Sequence, residues 1–171
     1  VGVFSVADTM RSESREALEL LKQMGIETIM CTGDSQGAAD GIASQLPALT
    51  AVRAQLLPKD KVTEVTALLG SHAQRFGRSA KVAMVGDGIN DAPALAAANV
   101  GIAMGAAGTP VAMETADVAL MDSDLRKLAW AVKLGRRTLG KIRQNVVLSI
   151  SIKLVMIVLT AVKLANLWLA I

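Results

Sequence analysis

The chain has 171 residues, enough for one sizeable core or a core with an appendage, and its formal charge of +3 hides a strong asymmetry. Residues 1–124 hold nine Lys/Arg against fifteen Asp/Glu, a net of −6, while residues 125–171 hold nine Lys/Arg and no acid, a net of +9. Aromatic residues are only 2% of the chain, so a base-stacking platform is excluded and no nucleic acid is expected as a partner; the single cysteine, Cys31, excludes an internal disulfide or a multi-cysteine zinc site.

Taken in order, "VGVFSV" predicts a short apolar strand that starts in mid-strand at Val1 rather than at an initiator Met. The far end stops in an apolar run, so the chain is expected to be a stretch of a longer polypeptide. "SESREALELLKQMG" predicts an amphipathic helix capped by Ser12 or Ser14, with Ala17, Leu20, Leu21 and Met24 on one face and Gly25 as its stop. "IETIMCTG" predicts a strand, "SQGAADGIASQL" a helix, and "LTAVRA" a weak strand. "PKDKVTEVTALLG" predicts a helix with Pro in its first turn and Gly70 at its end, followed by an exposed polar loop, "SHAQRFGRSA". Strand "KVAMVG", helix "DAPALAAAN", strand "VGIAMG", a turn or short helix "TPVAMETA" and strand "DVALM" complete the alternation. Continuous apolar strands separated by helices predict an α/β doubly wound parallel sheet, whose ligands bind beyond the carboxyl ends of the strands.

From residue 125 the pattern changes. "LRKLAWAVKLGRRTLGKIR" carries seven Lys/Arg, and "VVLSISIKLVMIVLTAVKLANLWLAI" is apolar apart from Lys153, Lys163 and a few small polar residues. At about 1.5 Å per residue the second stretch reaches about 39 Å, more than the ~30 Å hydrocarbon layer. The expectation is three parts: residues 1–124 as the α/β domain, 125–145 as a basic helical connector, and 146–171 as a membrane span. The basic run beside the span places residues 1–145 on the cytoplasmic side. Lys153 lies about a third of the way into the span, where a charge is costly and usually functional.

Four clusters fall at the sheet edge. "CTGD" sets Thr32, Gly33 and Asp34 at a strand-to-helix turn, where a hydroxyl and backbone N–H groups suit a phosphate oxygen, although Thr-Gly-Asp is also a common turn. "PKDK" puts Lys59 and Lys61 at a helix start, against the dipole, which hints at a fixed anion; a solvated face is the plainer reading. "GDGIND" gathers Asp87, Asn90 and Asp91 on one tight loop, and paired hard oxygens of this kind suit Mg²⁺. Capping of the next helix would explain Asp91 but leaves Asp87 and the flanking glycines unexplained. "ADTMR" offers Asp8 and Arg11 as a hinge or an ion pair. Asp122-x-Asp124 superficially looks like a phosphorylated-aspartate site, but its place just before a helix favours capping.

In this order the segments closely resemble the P-type cation-pumping ATPases, covering the back half of their phosphorylation domain and the membrane helix that follows. The resemblance rests on "TGD" at 32–34, "PKDK" at 58–61, and above all "GDGINDAPALAAANVGIAMG…TADVAL". It implies a haloacid-dehalogenase-like sheet, present in part. It also implies Mg²⁺ at Asp87 with Asp91, support of the phosphate site by Asn90 and Asp91, and a phosphoryl group held by Thr32, Gly33 and Lys61. Asp34 belongs to the same turn, and "DTMR" with Asp8 and Arg11 matches the hinge to an ATP-binding domain. The nucleophile of such pumps, the first Asp of Asp-Lys-Thr-Gly-Thr, is absent from this sequence and is expected upstream, so the chain alone should not hydrolyse ATP.

The membrane helix narrows the resemblance further. Gln144-Asn145 followed by Lys153 looks like the zinc/cadmium/lead branch rather than the copper pumps, which implies a divalent metal cation as cargo and Lys153 as a counter-charge at its site. The implied partners are that cation, the lipid bilayer and the remainder of the same polypeptide. A pump for copper or another cation, a soluble phosphatase of the same fold, and a non-catalytic relative remain as alternatives.

Overall fold

The protein is described from a computed structural model covering residues 12–76, 81–87, 90–105 and 114–161. Asp8, Arg11, Lys163 and most of "TPVAMETA" lie outside the described residues. The chain divides into two compact units, Val1–Ala129 and Trp130–Ile171.

Helix α1 spans Ser12–Gln23 and ends where Gly25 takes φ +73°, a left-handed conformation that costs glycine little. Ala17 and Leu21 are buried as the periodicity predicts, but Leu20 is exposed and Leu18 packs on the core instead. Strand β1, Ile29–Cys31, leads through the Thr32–Asp34 turn to α2, Gln36–Ala43, whose start is capped by Ser35 accepting from the Ala38 N–H. Strand β2 is Ala51–Arg53, paired in parallel with β1 from Ile29↔Ala51 to Cys31↔Arg53.

Helix α3 runs Pro58–Phe76, six residues beyond the predicted stop at Gly70. A mid-helix glycine costs only about 1 kcal/mol, and the Ser, Ala, Gln and Arg that follow carry no breaker, so a stretch expected to be loop stays helical. At the other end the Asp60 carboxylate accepts from the Leu57 N–H at 2.9 Å, a back-bond from the first turn that sets where the helix begins.

Strand β3 (Ala83–Gly86), helix α4 (Ala92–Ala97), strand β4 (Val100–Met104) and strand β5 (Val118–Leu120) follow. Among the described residues the strands form two parallel sheets, β1–β2 and β3–β4–β5. The β3–β4–β5 sheet is covered on both faces. Ile102 packs with Leu21 of α1 and with Leu128 and Ala129, while Met84 packs with Val65 of α3 and with Ala94 and Leu95 of α4. That is the doubly wound parallel arrangement the apolar runs predict. Asp117, not singled out from the sequence, accepts the Gly101 N–H at 2.8 Å and fixes the approach to β5.

Helix α5 runs without interruption over Arg126–Ala161, so no break in secondary structure separates the basic stretch from the described part of the apolar one. Asp124 accepts the Arg126 N–H at 2.9 Å, which gives it the capping role expected of this pair. Arg126 also reaches Glu16 of α1 at 3.4 Å, and Lys127 meets Asp122 at 2.6 Å. The Lys127 hydrogen bond and charge hold Asp122 below the usual carboxylate range, and the Arg126 side chain does the same for Asp124. A lowered native pKa means these contributions are complete above the unfolded value near 4 and are lost as pH falls through the native one. Carboxyl carbon shifts followed by NMR should therefore titrate below pH ~4 for both residues, and Lys127→Ala should move Asp122 upward while leaving Asp124 nearly in place.

Candidate functional site

The candidate residues lie on three segments, the turns after β1 and β3 and the first turn of α3. At the first turn, the Thr32 hydroxyl donates to Asp34 Oδ2 at 2.7 Å and accepts the Asp34 N–H at 3.1 Å, closing a compact loop. The loop is tied to the segment after β2: the Thr32 N–H donates to the Arg53 carbonyl, the Leu56 N–H to the Thr32 carbonyl and the Gln55 N–H to the Asp34 carbonyl. Gln55 does this at φ +58°, a left-handed conformation uncommon for a non-glycine residue. Glutamine carries no sequence signal for that geometry, so its part in holding the Thr-Gly-Asp turn is visible only in the structure.

The second component is an ion pair between elements thirty residues apart. Lys61 Nζ, one helical turn into α3, lies 2.7 Å from Asp91 Oδ1, and both side chains are largely buried, at 16% and 13% exposure. The anion that the Lys61 position called for is thus, among the described residues, the Asp91 carboxylate. Asp91 precedes α4 in sequence but its carboxylate makes no capping bond there; only its backbone carbonyl accepts, from Ala94 and Leu95. Released from capping, the carboxylate turns back over β3. It passes so close that a Cβ on Gly86 would meet Asp91 Oδ2 at 2.6 Å and Asp91 Cβ at 2.8 Å. Gly86 is therefore the residue that admits Asp91 to the sheet edge.

Asp87 follows Gly86 and is exposed at the carboxyl end of β3, with Asn90, also exposed, at the far side of the same turn. Cys31 is the last residue of β1, and burial, helped by Glu64 and Asp91, pushes its thiol up against the lowering charges of Lys61 and Arg53. Lys153 is exposed on α5 in the second unit.

The donor set fits a small hard cation. The two carboxylates at the end of β3 are oxygen donors of the kind Mg²⁺ takes one or two at a time, with water and phosphate oxygens filling its remaining positions. Among the described residues no cluster of three His, Cys, Asp or Glu supplies a complete protein cage, which is the arrangement a softer structural metal would need.

A family profile for haloacid dehalogenase-like hydrolases matches residues 1–99, and the chain belongs to that family. Over its whole length it is also similar to heavy-metal P-type ATPases. It is 49% identical to a probable cadmium-transporting ATPase of Listeria monocytogenes, covering 100% of this chain and 23% of the relative. It is 43% identical to a zinc/cadmium/lead-transporting P-type ATPase of Escherichia coli K12, covering 100% of this chain and 22% of the relative. The crystal structure of a zinc-transporting PIB-type ATPase superposes with a TM-score of 0.83 at 44% identity, over 96% of this chain and 25% of that one. The chain thus spans about a quarter of the length of the relatives it matches.

Proposed function

We propose that the chain works as part of an ATP-driven exporter of Zn²⁺-like divalent metal ions, supplying the half of the phosphorylation site that offsets charge and the helix that meets the cargo. In this reading residues 1–124 are the C-terminal half of the phosphorylation domain, 125–145 the cytoplasmic connector and 146–171 the span of a multi-pass membrane protein. The observation that carries it is the 2.7 Å Lys61–Asp91 pair, which joins two of the sequence clusters at the carboxyl edge of a parallel sheet. The similarity to cadmium- and zinc-transporting ATPases over the whole chain supports the cargo, and among the described residues one helix, Arg126–Ala161, is long and apolar enough to cross a membrane.

The chemistry divides among the residues as follows. Phosphoryl transfer from ATP to a carboxylate outside this chain concentrates negative charge, and positioned donors at that point lower the barrier. The Gly33 backbone presents an N–H to the phosphoryl oxygens, and the Thr32 hydroxyl, whose proton goes to Asp34 Oδ2 in this structure, would turn that proton to them when the group is bound. Lys61 contributes a fixed cation, held in place by Asp91 rather than left to sample solvent. Asp87, with Asp91 beside it, would hold Mg²⁺, which supplies charge neutralisation at the transferring group. Asn90 supports the same turn, and Asp8 and Arg11 join the ATP-binding domain. Lys153 serves the transport site as a counter-charge, which explains a cation placed within an apolar run.

The test is phosphoenzyme formation and metal-stimulated ATP hydrolysis by the full-length protein across Zn²⁺, Cd²⁺, Pb²⁺, Cu⁺ and K⁺. Stimulation by the first three, no phosphoenzyme in Asp87→Asn, and loss of the metal response in Lys153→Ala with phosphorylation retained would support the reading. Normal phosphoenzyme levels in Asp87→Asn would remove that residue from the site, and stimulation by Cu⁺ or K⁺ alone would change the cargo.

A further inference from the structure

The Thr32–Asp34 turn and Lys61 lie on different segments, yet one short stretch of backbone is bonded to both. Three consecutive N–H groups, those of Gln55, Leu56 and Leu57, each serve a different acceptor. The Gln55 N–H donates to the Asp34 carbonyl at 2.8 Å and the Leu56 N–H to the Thr32 carbonyl at 3.0 Å. The Leu57 N–H instead donates to Asp60 Oδ2 at 2.9 Å. The Leu57 carbonyl accepts from the Asp60 and Lys61 N–H groups at 2.9 and 3.1 Å, so both polar backbone atoms of Leu57 are held by the first turn of α3.

This stretch has little slack. Gln55 takes φ +58°, a conformation that persists in a non-glycine residue only where its surroundings fix it. The Leu56 carbonyl lies so near the Thr-Gly-Asp turn that a Cβ on Gly33 would meet it at 3.3 Å. Pro58 follows, with its own φ locked at about −65°, and biases Leu57 toward extended backbone.

We propose that residues 55–57 form a positioning strap that holds the Thr32–Asp34 turn and Lys61 at a fixed separation, with Asp60 as the residue that locks it. The inference deepens the reading above and rests on it, since it takes both segments to hold one phosphoryl group. Donors from the two segments must reach that group together, so their separation decides how well either does. Asp60 is not itself placed against the phosphoryl group; it acts through Leu57. The strap uses the left-handed backbone of Gln55 rather than its side chain, and the acceptor oxygen of Asp60 rather than its charge.

The test uses the full-length protein and two readouts: amide hydrogen exchange by mass spectrometry, and inhibition of ATP hydrolysis by orthovanadate, a phosphate-shaped anion. Asp60→Ala should speed exchange about tenfold in peptides covering residues 30–35 and 54–58, with peptides from β3 and β4 unchanged. It should raise the half-inhibiting orthovanadate concentration about tenfold and leave the KM for ATP within about twofold, a split that general destabilisation would not produce. Asp60→Asn keeps an acceptor oxygen and should hold both readouts within about threefold of the unaltered protein. Gln55→Gly should do the same, while Gln55→Val, which resists the left-handed region, should behave like Asp60→Ala. Unchanged exchange at residues 30–35 in Asp60→Ala overturns the strap and leaves the phosphoryl reading standing. Faster exchange with unaltered orthovanadate sensitivity overturns the positioning role. Hydrolysis by the unaltered protein that is indifferent to orthovanadate removes the phosphoryl reading and the strap's role with it.

Discussion

Gly86→Ala is expected to be among the most damaging single-methyl changes this chain can receive. The added Cβ would sit 2.6 Å from Asp91 Oδ2 and 2.8 Å from Asp91 Cβ, and atoms so near the backbone have little room to yield. Either the turn after β3 moves or Asp91 swings away and the Lys61 pair opens. Overpacking of this kind costs about 1–3 kcal/mol, measurable by urea or thermal unfolding. A displacement of about 1 Å at a site that works by position is worth on the order of 100-fold in rate, so phosphoenzyme formation by the full-length protein should fall far more than stability does. Gly41→Ala is the control: a Cβ there meets nothing within 4 Å, in the middle of α2, and the change should be neutral or stabilising by up to about 1 kcal/mol. Full phosphorylation in Gly86→Ala would show that Asp91's approach to β3 has no functional weight.

Lys61→Met tests the other partner. It removes the cation and leaves a largely buried carboxylate uncompensated, which costs on the order of 1–3 kcal/mol. Adding Asp91→Asn should return most of that stability, because the orphaned charge is gone, and a double-mutant cycle then measures the coupling. Phosphoryl transfer should stay low in the double variant, since a neutral pair supplies no charge to the transferring group. Recovery of both stability and phosphorylation would assign the pair to architecture alone.

Much of this protein is legible in one dimension. The apolar runs, the Pro and Gly punctuation and the Asp124 cap are local signals, and local backbone preferences answer to local sequence; α1, α2, α4, the strands among the described residues and the start of α5 appear where those signals put them, while the expected strand "VGVFSV" lies outside the described residues. The end of α3 does not, because a single glycine is a weak breaker when helix formers follow it. The turn after β3 is also visible, since a carboxylate between two glycines at a strand end is an unusual local composition, whereas Thr-Gly-Asp is a common turn and stands out only through the resemblance. What the linear order could not contain is the meeting of Lys61 with Asp91, the turn of Asp91 away from its own helix, the reason for Gly86 and the left-handed Gln55 beneath the Thr32 turn. Each of these is settled by how closely two distant backbones approach, and such distances belong to the packed sheet and helices rather than to any one segment.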